Sequence, residues 1–268
     1  MCKINLQIGN CIELMQKLSP GSVNQIFADP PYNLSGVNFL TVKSGKMVAC
    51  DKGDWDVIDD IHKFNETWIK ECVRVLTDDG TIWISGTLHN HPSIGVILKK
   101  LNLWIINDLI WFKRNAAPLL SKNRLAPSTE LIWIASKTKK YYFDYNTAKM
   151  INNGKQMRNL WEINAQRHIT SHPTEKPEIL LERIILLGCK EGDTILDPFT
   201  GSGTTGVIAK RLKRNFIGFE INPEYYEIAD KRINAEKSNG KIVFTDKMIK
   251  QDKQLRIFLE EKAKYSLT

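Results

Sequence analysis

The chain of 268 residues lacks several features that would place it in a specialised class of protein. It has no apolar run approaching the ~18 residues that a membrane-spanning helix needs, and its N-terminus, MCKINLQIGN, lacks the apolar core of a signal peptide. Its five cysteines form no Cys-x-x-Cys pair, which argues against a disulfide framework or a zinc site. No internal repeat or low-complexity tract interrupts it. We therefore expect a soluble cytoplasmic protein without a bound metal.

Positive charge is concentrated in one segment of the chain. The whole sequence has 38 basic and 30 acidic side chains, a net charge of +8. Residues 113–168 alone contain eleven Lys and Arg against three Asp and Glu, which is also a net charge of +8. Each Lys or Arg that neutralises a phosphate releases counterions, so this excess favours a polyanionic partner. A solvated, loop-rich insertion would have the same composition, and charge alone does not separate the two interpretations.

Short β-like runs alternate with amphipathic segments along the chain, a pattern that is typical of an α/β fold with a mostly parallel sheet. Apolar side chains recur at helical intervals over residues 61–76. The patterns predict further helices over residues 91–101, 179–187 and 223–235, and strands over residues 25–28, 81–85, 104–112, 131–135, 194–196 and 215–219.

A glycine-rich loop lies between a predicted strand and a predicted helix. Residues 196–206 read LDPFTGSGTTG, in which Gly201, Gly203 and Gly206 have the spacing GxGxxG. Such glycines let the backbone approach a ligand, and the following helix offers unpaired N–H groups. Glu220 ends the next predicted strand, where a carboxylate can accept hydrogen bonds from ribose hydroxyls. Tight strand-to-helix turns also use glycine, but the whole pattern favours a nucleoside-type cofactor, either a dinucleotide or S-adenosylmethionine.

A second motif, Asp29-Pro30-Pro31-Tyr32, follows the predicted strand over residues 25–28. The two prolines fix φ and disfavour helix at the preceding residue, so the chain leaves the strand in a stiff, extended conformation. That exit would hold a carboxylate and an aromatic ring at the carboxyl edge of the sheet, where open α/β sheets bind ligands. A proline-rich turn with an incidental Asp is the alternative. The presence of the glycine loop in the same chain favours a functional site.

The sequence DPPYN, together with LDPFTGSGTTG and FIGFEIN, resembles the S-adenosylmethionine-dependent amino-methyltransferases of DNA. Because the catalytic tetrapeptide precedes the cofactor loop, the chain is similar to their circularly permuted β class, over roughly residues 8–237. Residues 172–177, HPTEKP, are similar to the (H/T)-x-x-K-P stretch of this group. Gly9-Asn10-Cys11 resembles its G-D-C motif, with Asn10 in place of the commoner acid.

The resemblance implies one Rossmann-like methyltransferase domain, 1–268, with a seven-stranded, mostly parallel sheet and helices on both faces. Residues 1–112 would form the catalytic half, 113–168 the target-recognition region and 169–236 the cofactor-binding half. The tail, 237–268, has no assigned role. Residues 34–57 could be a loop over the substrate or a surface insertion.

The resemblance also assigns roles to individual residues. Asp29 and the Pro30 carbonyl would accept the two hydrogens of an exocyclic amine, Pro31 would stiffen the motif, and Tyr32 would stack on a base flipped out of the duplex. The residues expected to bind S-adenosylmethionine are Asn10, Cys11, Asp29, His172, Thr174, Lys176, Asp197, Phe199, Thr200, Gly201, Ser202, Gly203, Thr204, Glu220 and Asn222.

The basic segment would contact double-stranded DNA. The expected phosphate contacts are Lys113, Arg114, Lys122, Arg124, Lys139, Lys140, Arg158 and Arg167. The aromatic run at residues 141–145 is expected to be an edge strand that packs on the core.

In this family a DPPY tetrapeptide usually accompanies N6-adenine and SPPY usually accompanies N4-cytosine, so Asp29 favours adenine. We expect a sequence-specific DNA adenine-N6 methyltransferase of the restriction–modification type, with a homodimer and a cognate restriction endonuclease as candidate partners. The alternatives are N4-cytosine transfer, or methylation of RNA or protein amides. A nicotinamide oxidoreductase would leave DPPY without a role, and a non-catalytic DNA-binding protein would explain neither motif.

Overall fold

The helices and strands alternate as the sequence predicts. The computed structural model describes residues 2–33, 36–43, 46–50, 58–119, 122–165, 175–240 and 242. The strands are β1 (Ile4–Ile8), β2 (Val23–Ala28), β3 (Gly36–Lys43), β4 (Lys46–Cys50), β5 (Leu76–Gly86), β6 (Trp104–Phe112), β7 (Thr129–Ser136), β8 (Leu160–Glu162), β9 (Thr194–Asp197) and β10 (Asn215–Glu220). The helices are α1 (Cys11–Met15), α2 (Ile61–Val75), α3 (His91–Lys100), α4 (Tyr145–Ile151), α5 (Glu178–Gly188), α6 (Thr204–Arg211) and α7 (Pro223–Ala235).

One mixed sheet contains strands from the N-terminal, basic and C-terminal segments, in the order β1-β10-β9-β2-β5-β7-β6-β8. All neighbouring strands are parallel except β7, which is antiparallel to both β5 and β6. The sheet therefore has one strand more than the seven expected, because the three-residue β8 pairs with the edge strand β6. The α/β class and the mostly parallel sheet are confirmed.

A switch in chain direction lies at the centre of the sheet. β2 and β9 are parallel neighbours, and the chain continues from β2 toward β5 but from β9 toward β10. Where connections leave two adjacent strands in opposite directions, a crevice opens at their carboxyl ends. We call the edge at which β2, β5, β9 and β10 end the carboxyl edge. The fold therefore places both sequence motifs at this crevice.

Two layers of helices cover the two faces of the sheet. One hydrophobic cluster is built from α4, α5, α6 and α7, with Leu181, Ile184 and Ile208 almost fully buried. The other is built from α1, α2 and α3, with Trp68 and Cys72 inaccessible to solvent. Helices on both faces are what the resemblance implies. In the described part of the chain, no helix has the length and apolarity needed to cross a bilayer.

Two expectations about connecting segments change in the structure. Residues 141–144 form no strand, because Asp144 caps α4 by accepting a hydrogen bond from the backbone N–H of Thr147 at 2.8 Å. The prediction of an edge strand over 141–145 was therefore wrong, and β8 lies at the edge instead. Within residues 34–57, β3 and β4 pair as an antiparallel hairpin, while residues 34–35, 44–45 and 51–57 lie outside the described residues.

Candidate active site

The DPPY motif and the glycine loop lie side by side at the carboxyl edge. Asp29 follows β2 directly, and the loop starts after β9; the two strands pair through Gln25 with Ile195 and Ile26 with Leu196. Pro30 and Pro31 are buried. The two motifs, which are more than 160 residues apart in the sequence, are therefore adjacent in the fold.

Both carboxylate oxygens of Asp29 have partners. The Tyr32 hydroxyl donates to Oδ1 at 2.6 Å, and the Lys176 ammonium contacts Oδ2 at 2.5 Å. The same hydroxyl lies 3.1 Å from Oγ of Ser85, at the end of β5. Burial, followed by the charge of Asp29, raises the pKa of Tyr32 well above its usual value. The phenol is therefore a neutral donor to the carboxylate.

Lys176 also contacts a second carboxylate. Its Nζ lies 3.4 Å from Oε2 of Glu130, and Lys113 contacts Oε1 of Glu130 at 2.8 Å. Burial disfavours the charged form of Lys176, but Asp29 and Glu130 raise its pKa above the usual value. Burial likewise opposes ionisation of Glu130, while Lys176 and Lys113 lower its pKa. A row of alternating charges therefore ends in the DPPY motif, in the order Lys113, Glu130, Lys176 and Asp29.

Backbone geometry explains two of the loop glycines. Gly203 has φ +85° at the start of α6, and a Cβ there would lie 2.8 Å from the Cα of Ala229 in α7. A Cβ on Gly206 would lie 2.5 Å from Cδ1 of Ile233. The glycines therefore permit both a left-handed turn and close packing between α6 and α7.

Two buried carboxylates hold the ends of the loop. Asp197 accepts from the Phe199 backbone N–H at 3.0 Å and from the Thr205 hydroxyl at 2.5 Å, and burial raises its pKa to about 7. Glu220 accepts from the backbone N–H groups of Gly201 and Asn222, each at 2.8 Å, and burial raises its pKa as well. The loop is thus fixed between the ends of β9 and β10.

A small cavity of about 30 Å³ joins the two motifs. Eight of the residues expected to bind the cofactor line it, namely Asp29, Lys176, Asp197, Phe199, Thr200, Gly201, Ser202 and Thr204. Phe199 is held from behind by Trp68, with ring centroids 5.2 Å apart. Among the described residues, no group of three or more His, Cys, Asp or Glu side chains is placed to hold a metal ion.

The remaining expected cofactor residues lie at the starts of α1, α6 and α7, at the end of β10, or outside the described residues. Asn10 caps α1 by accepting from the Ile12 N–H at 2.9 Å, and Asn222 caps α7 by accepting from the Glu224 N–H at 2.8 Å. Cys11 is buried next to Asn10, and the Gly9 N–H donates to the Glu220 carbonyl at 2.8 Å, which brings the ends of β1 and β10 together. His172 and Thr174 lie outside the described residues.

The sequence motifs gave no indication that several other residues belong to the site. Arg232 in α7 contacts Oε1 of Glu175 at 2.8 Å and donates to the Ser202 carbonyl at 2.6 Å, so it ties the glycine loop to the residue before Lys176. Glu175 lies inside the HPTEKP stretch, but the motif gives it no role. Glu130 could have been found only from the antiparallel direction of β7, which brings the start of that strand to the carboxyl edge.

The expected DNA-binding side chains are divided between the two edges of the sheet. Lys122 and Arg124 are exposed on the loop from β6 to β7, which lies at the carboxyl edge because Phe112 pairs with Thr129. Lys139 and Lys140 follow Ser136, which pairs with Thr81 at the opposite edge. These two lysines therefore fit the predicted DNA contact least well.

The other four side chains expected to contact phosphates differ in their ion pairs and exposure. Lys113 is paired with Glu130, and Arg114 with Glu162 at 2.5 Å. Arg158 is exposed just before β8, and Arg167 lies outside the described residues.

The fold and the site define a class of protein, the group-transfer enzymes that bind a nucleoside cofactor at the switch point of the sheet. Comparison with known proteins gives the same class. The family model described as a DNA methylase matches residues 23–231. The chain belongs to that family, the S-adenosylmethionine-dependent amino-methyltransferases of DNA. Its cofactor is S-adenosylmethionine and its substrate is DNA.

Individual relatives cover most of the chain. It is 46% identical to the type II methyltransferase M2.DpnII of Streptococcus pneumoniae, over 87% of this chain and 91% of the relative. It is 40% identical to M2.MboI of Moraxella bovis, over 92% and 93% of the two chains. Among solved structures, the complex of M1.HpyAVI with S-adenosylmethionine has a TM-score of 0.66 and 28% identity, over 86% of this chain and 99% of the other.

Proposed function

We propose that this protein methylates the N6 amine of adenine in a specific duplex DNA sequence, as the modification enzyme of a restriction–modification system. The observation that supports this most directly is the Asp29 carboxylate, which lies at the carboxyl edge next to the glycine loop. The type II relatives support the restriction–modification role. A cognate endonuclease, a homodimer and a cytoplasmic location belong to the same proposal.

The chemistry explains why a carboxylate is needed. The N6 amine is conjugated to the adenine ring, so its lone pair is delocalised and it is a poor nucleophile. If Asp29 and the Pro30 carbonyl accept its two hydrogens, the nitrogen is drawn toward a tetrahedral geometry and its lone pair becomes directed. Positioning of this kind can provide most of the acceleration in a transfer reaction.

S-adenosylmethionine supplies a methyl group on a positively charged sulfur, which leaves as a neutral thioether. Transfer would form a bond from the amine nitrogen to the methyl carbon and break the bond from that carbon to sulfur. One amine proton would then be surplus, and the Asp29 carboxylate would take it and pass it to water. Of the expected cofactor residues that line the cavity, those of the glycine loop would hold the cofactor.

Tyr32 would exchange one partner for another when the base binds. Its hydroxyl now donates to the Asp29 oxygen that the target amine would need. A flipped adenine would take over that contact, and the ring would remain beside the site to stack on the base. DNA phosphates would be held by the exposed basic side chains of the carboxyl edge, with Lys122 and Arg124 as the best-placed pair.

Transfer of a labelled methyl group tests this proposal. Unmethylated plasmid DNA, total RNA and a protein mixture are incubated with the enzyme and tritiated S-adenosylmethionine, and the labelled product is digested and analysed by mass spectrometry. We expect label in DNA as N6-methyladenine, and none with Asp29→Ala, which should still bind the cofactor. Label as N4-methylcytosine, label in RNA or protein, or turnover by Asp29→Ala would overturn the proposal.

A further inference from the structure

We propose that Glu130 and Lys176 are positioning residues that hold the Asp29 carboxylate in place for methyl transfer, an inference that rests on the proposed function. Neither needs to touch the base. Lys176 acts on Asp29 directly, and Glu130 acts through Lys176. This differs from the role that the sequence predicts for Lys176, which is to bind the cofactor.

A series of ion pairs connects the basic segment to the DPPY motif. Lys113 contacts Glu130 at 2.8 Å, Glu130 lies 3.4 Å from Lys176, and Lys176 contacts Asp29 at 2.5 Å. Tyr32 approaches the same carboxylate from the other oxygen, at 2.6 Å. The carboxylate is therefore held from two sides, and only the contact with Lys176 persists if the target amine displaces the Tyr32 hydroxyl.

Burial makes the pairing necessary. The side chains of Lys176 and Glu130 are only 7% and 15% exposed, and that of Asp29 is 18% exposed. An ionised group removed from water is strongly destabilising unless an opposite charge compensates it. Lys176 lies between two carboxylates. If either carboxylate were removed, the two lysines of the row would face a single negative charge. Because these neighbours keep it protonated, Lys176 cannot accept the amine proton, and its contribution is positional.

The topology gives Glu130 this place. β7 is the antiparallel strand of the sheet, and Leu131 pairs with Gly86, so Glu130 arrives at the carboxyl edge from the direction opposite to β2. Lys113 follows the end of β6 at the same edge. The segment expected to contact DNA thus also supplies the residue that anchors Lys176.

The test compares Glu130→Gln and Lys176→Met with a control at Glu66. Glu66 also lies between two lysines, with Lys70 at 2.7 Å and Lys100 at 2.9 Å, but on the helical surface outside the site. Glu66→Gln therefore removes a similar charge without touching the site. For each variant we would measure kcat at saturating DNA and cofactor, the Kd for S-adenosylmethionine, the Kd for DNA, and Tm.

We expect kcat to fall about tenfold for Glu130→Gln and about a hundredfold for Lys176→Met, because small displacements of a reacting group cost this much. Both Kd values should change less than about threefold, and Lys176→Arg should recover part of the rate. Glu66→Gln should match the wild type. Because Glu130 acts through Lys176, adding Glu130→Gln to Lys176→Met should slow the reaction no further.

Three results would overturn the inference. The first is a wild-type kcat in Glu130→Gln. The second is a loss confined to the Kd for S-adenosylmethionine, which would make Lys176 a cofactor ligand. The third is a double variant in which the two losses multiply. A wild-type enzyme that produced no N6-methyladenine in the same assay would instead contradict the proposed function.

Discussion

At the scale of single residues, Tyr32 has two separable parts. Its ring is proposed to stack on a base, and its hydroxyl donates to Asp29 and lies near Ser85. The hydroxyl contact competes with the amine that Asp29 is proposed to receive. The two parts should therefore have different effects when each is removed.

Tyr32→Phe should keep kcat within about tenfold of the wild type, because it retains the ring and removes only the competing contact. Tyr32→Ala should weaken binding of the target DNA by about tenfold or more, since stacking on a base is worth roughly 1–3 kcal/mol. Equilibrium binding and turnover on the same duplex check both variants. Equal losses in the two would show that the ring does not contact the base.

Asp197 makes the stability of the cofactor-free protein depend on pH. Burial raises its pKa from 3.8 to about 7, so the folded protein retains a proton that the unfolded chain has already released. The folded state binds more protons in this range, and the free energy of unfolding therefore falls as pH rises from 3.8 toward about 7.

Asp197→Asn should remove this dependence. The substitution alters the contacts with Phe199 and Thr205, which lowers Tm by a similar amount at every pH. Superimposed on that offset, Tm of the variant relative to the wild type should rise between about pH 4.5 and pH 7, as measured by thermal unfolding without cofactor at ~0.5-unit steps. A difference that does not change with pH would contradict the ionisation that burial implies.

At the scale of elements, the turn into α6 depends on two properties of Gly203 at once. Its φ of +85° favours glycine, and its Cα faces Ala229 of α7 with no space for a Cβ. Gly192, in the turn before β9, has φ +87° but has no atom within 4 Å of an added Cβ. Comparing substitutions at Gly203 and Gly192 therefore separates the cost of backbone strain from the cost of steric crowding.

Gly203→Ala should therefore be more harmful than Gly192→Ala. Both should lose about 1 kcal/mol from the left-handed conformation. Gly203→Ala should lose roughly 1–3 kcal/mol more, because α6 and α7 must separate, and its affinity for S-adenosylmethionine should fall as the loop shifts. Denaturant unfolding and calorimetric titration measure both effects. Similar losses in the two variants would show that close packing of α6 on α7 is unimportant.

The elements also show what could be predicted from the sequence. Helices α2 and α7 and strands β2, β6 and β9 follow from local periodicity, prolines and glycines, which act within a few residues. The DPPY tetrapeptide and the glycine loop were recognisable because each is a contiguous motif. Glu130 and Arg232 were missed because their roles depend on strand direction and on the packing of α7, which local sequence does not encode.

The aromatic run before α4 illustrates the same limit. Its tyrosines and phenylalanine have the composition of a strand, and that composition alone predicted one. Asp144 provides a helix cap instead, and the backbone N–H of Tyr142 donates to the carbonyl of Asp79 at 2.9 Å. A capping side chain and one tertiary contact outweigh a short β-like pattern.

At the scale of the whole molecule, the positive charge of the basic segment is distributed over two edges of the sheet. The loop with Lys122 and Arg124 lies at the carboxyl edge, whereas Lys139 and Lys140 follow β7 at the opposite edge. Lys139 also lies over the ring of Trp104, 4.8 Å from its centre. DNA that delivers a base to Asp29 must approach the carboxyl edge.

The two pairs of cations should therefore respond differently to neutralisation. Changing both Lys122 and Arg124 to Gln should weaken DNA binding and reduce the slope of log K against log salt by about 0.9 for each phosphate that is no longer neutralised. Changing both Lys139 and Lys140 to Gln should leave the slope unaltered. Fluorescence anisotropy at several salt concentrations measures both. Equal effects would instead favour contact between DNA and the whole basic segment.

In the proposed function, one carboxylate at the switch point of the sheet directs methyl transfer to adenine in DNA. Single-molecule sequencing of genomic DNA tests it most directly, in a host that lacks adenine methylation and expresses either the wild-type protein or Asp29→Ala. We predict N6-methyladenine at one recurring sequence in the first host and none in the second. N4-methylcytosine at that sequence, or N6-methyladenine in both hosts, would show that Asp29 does not direct methylation of adenine.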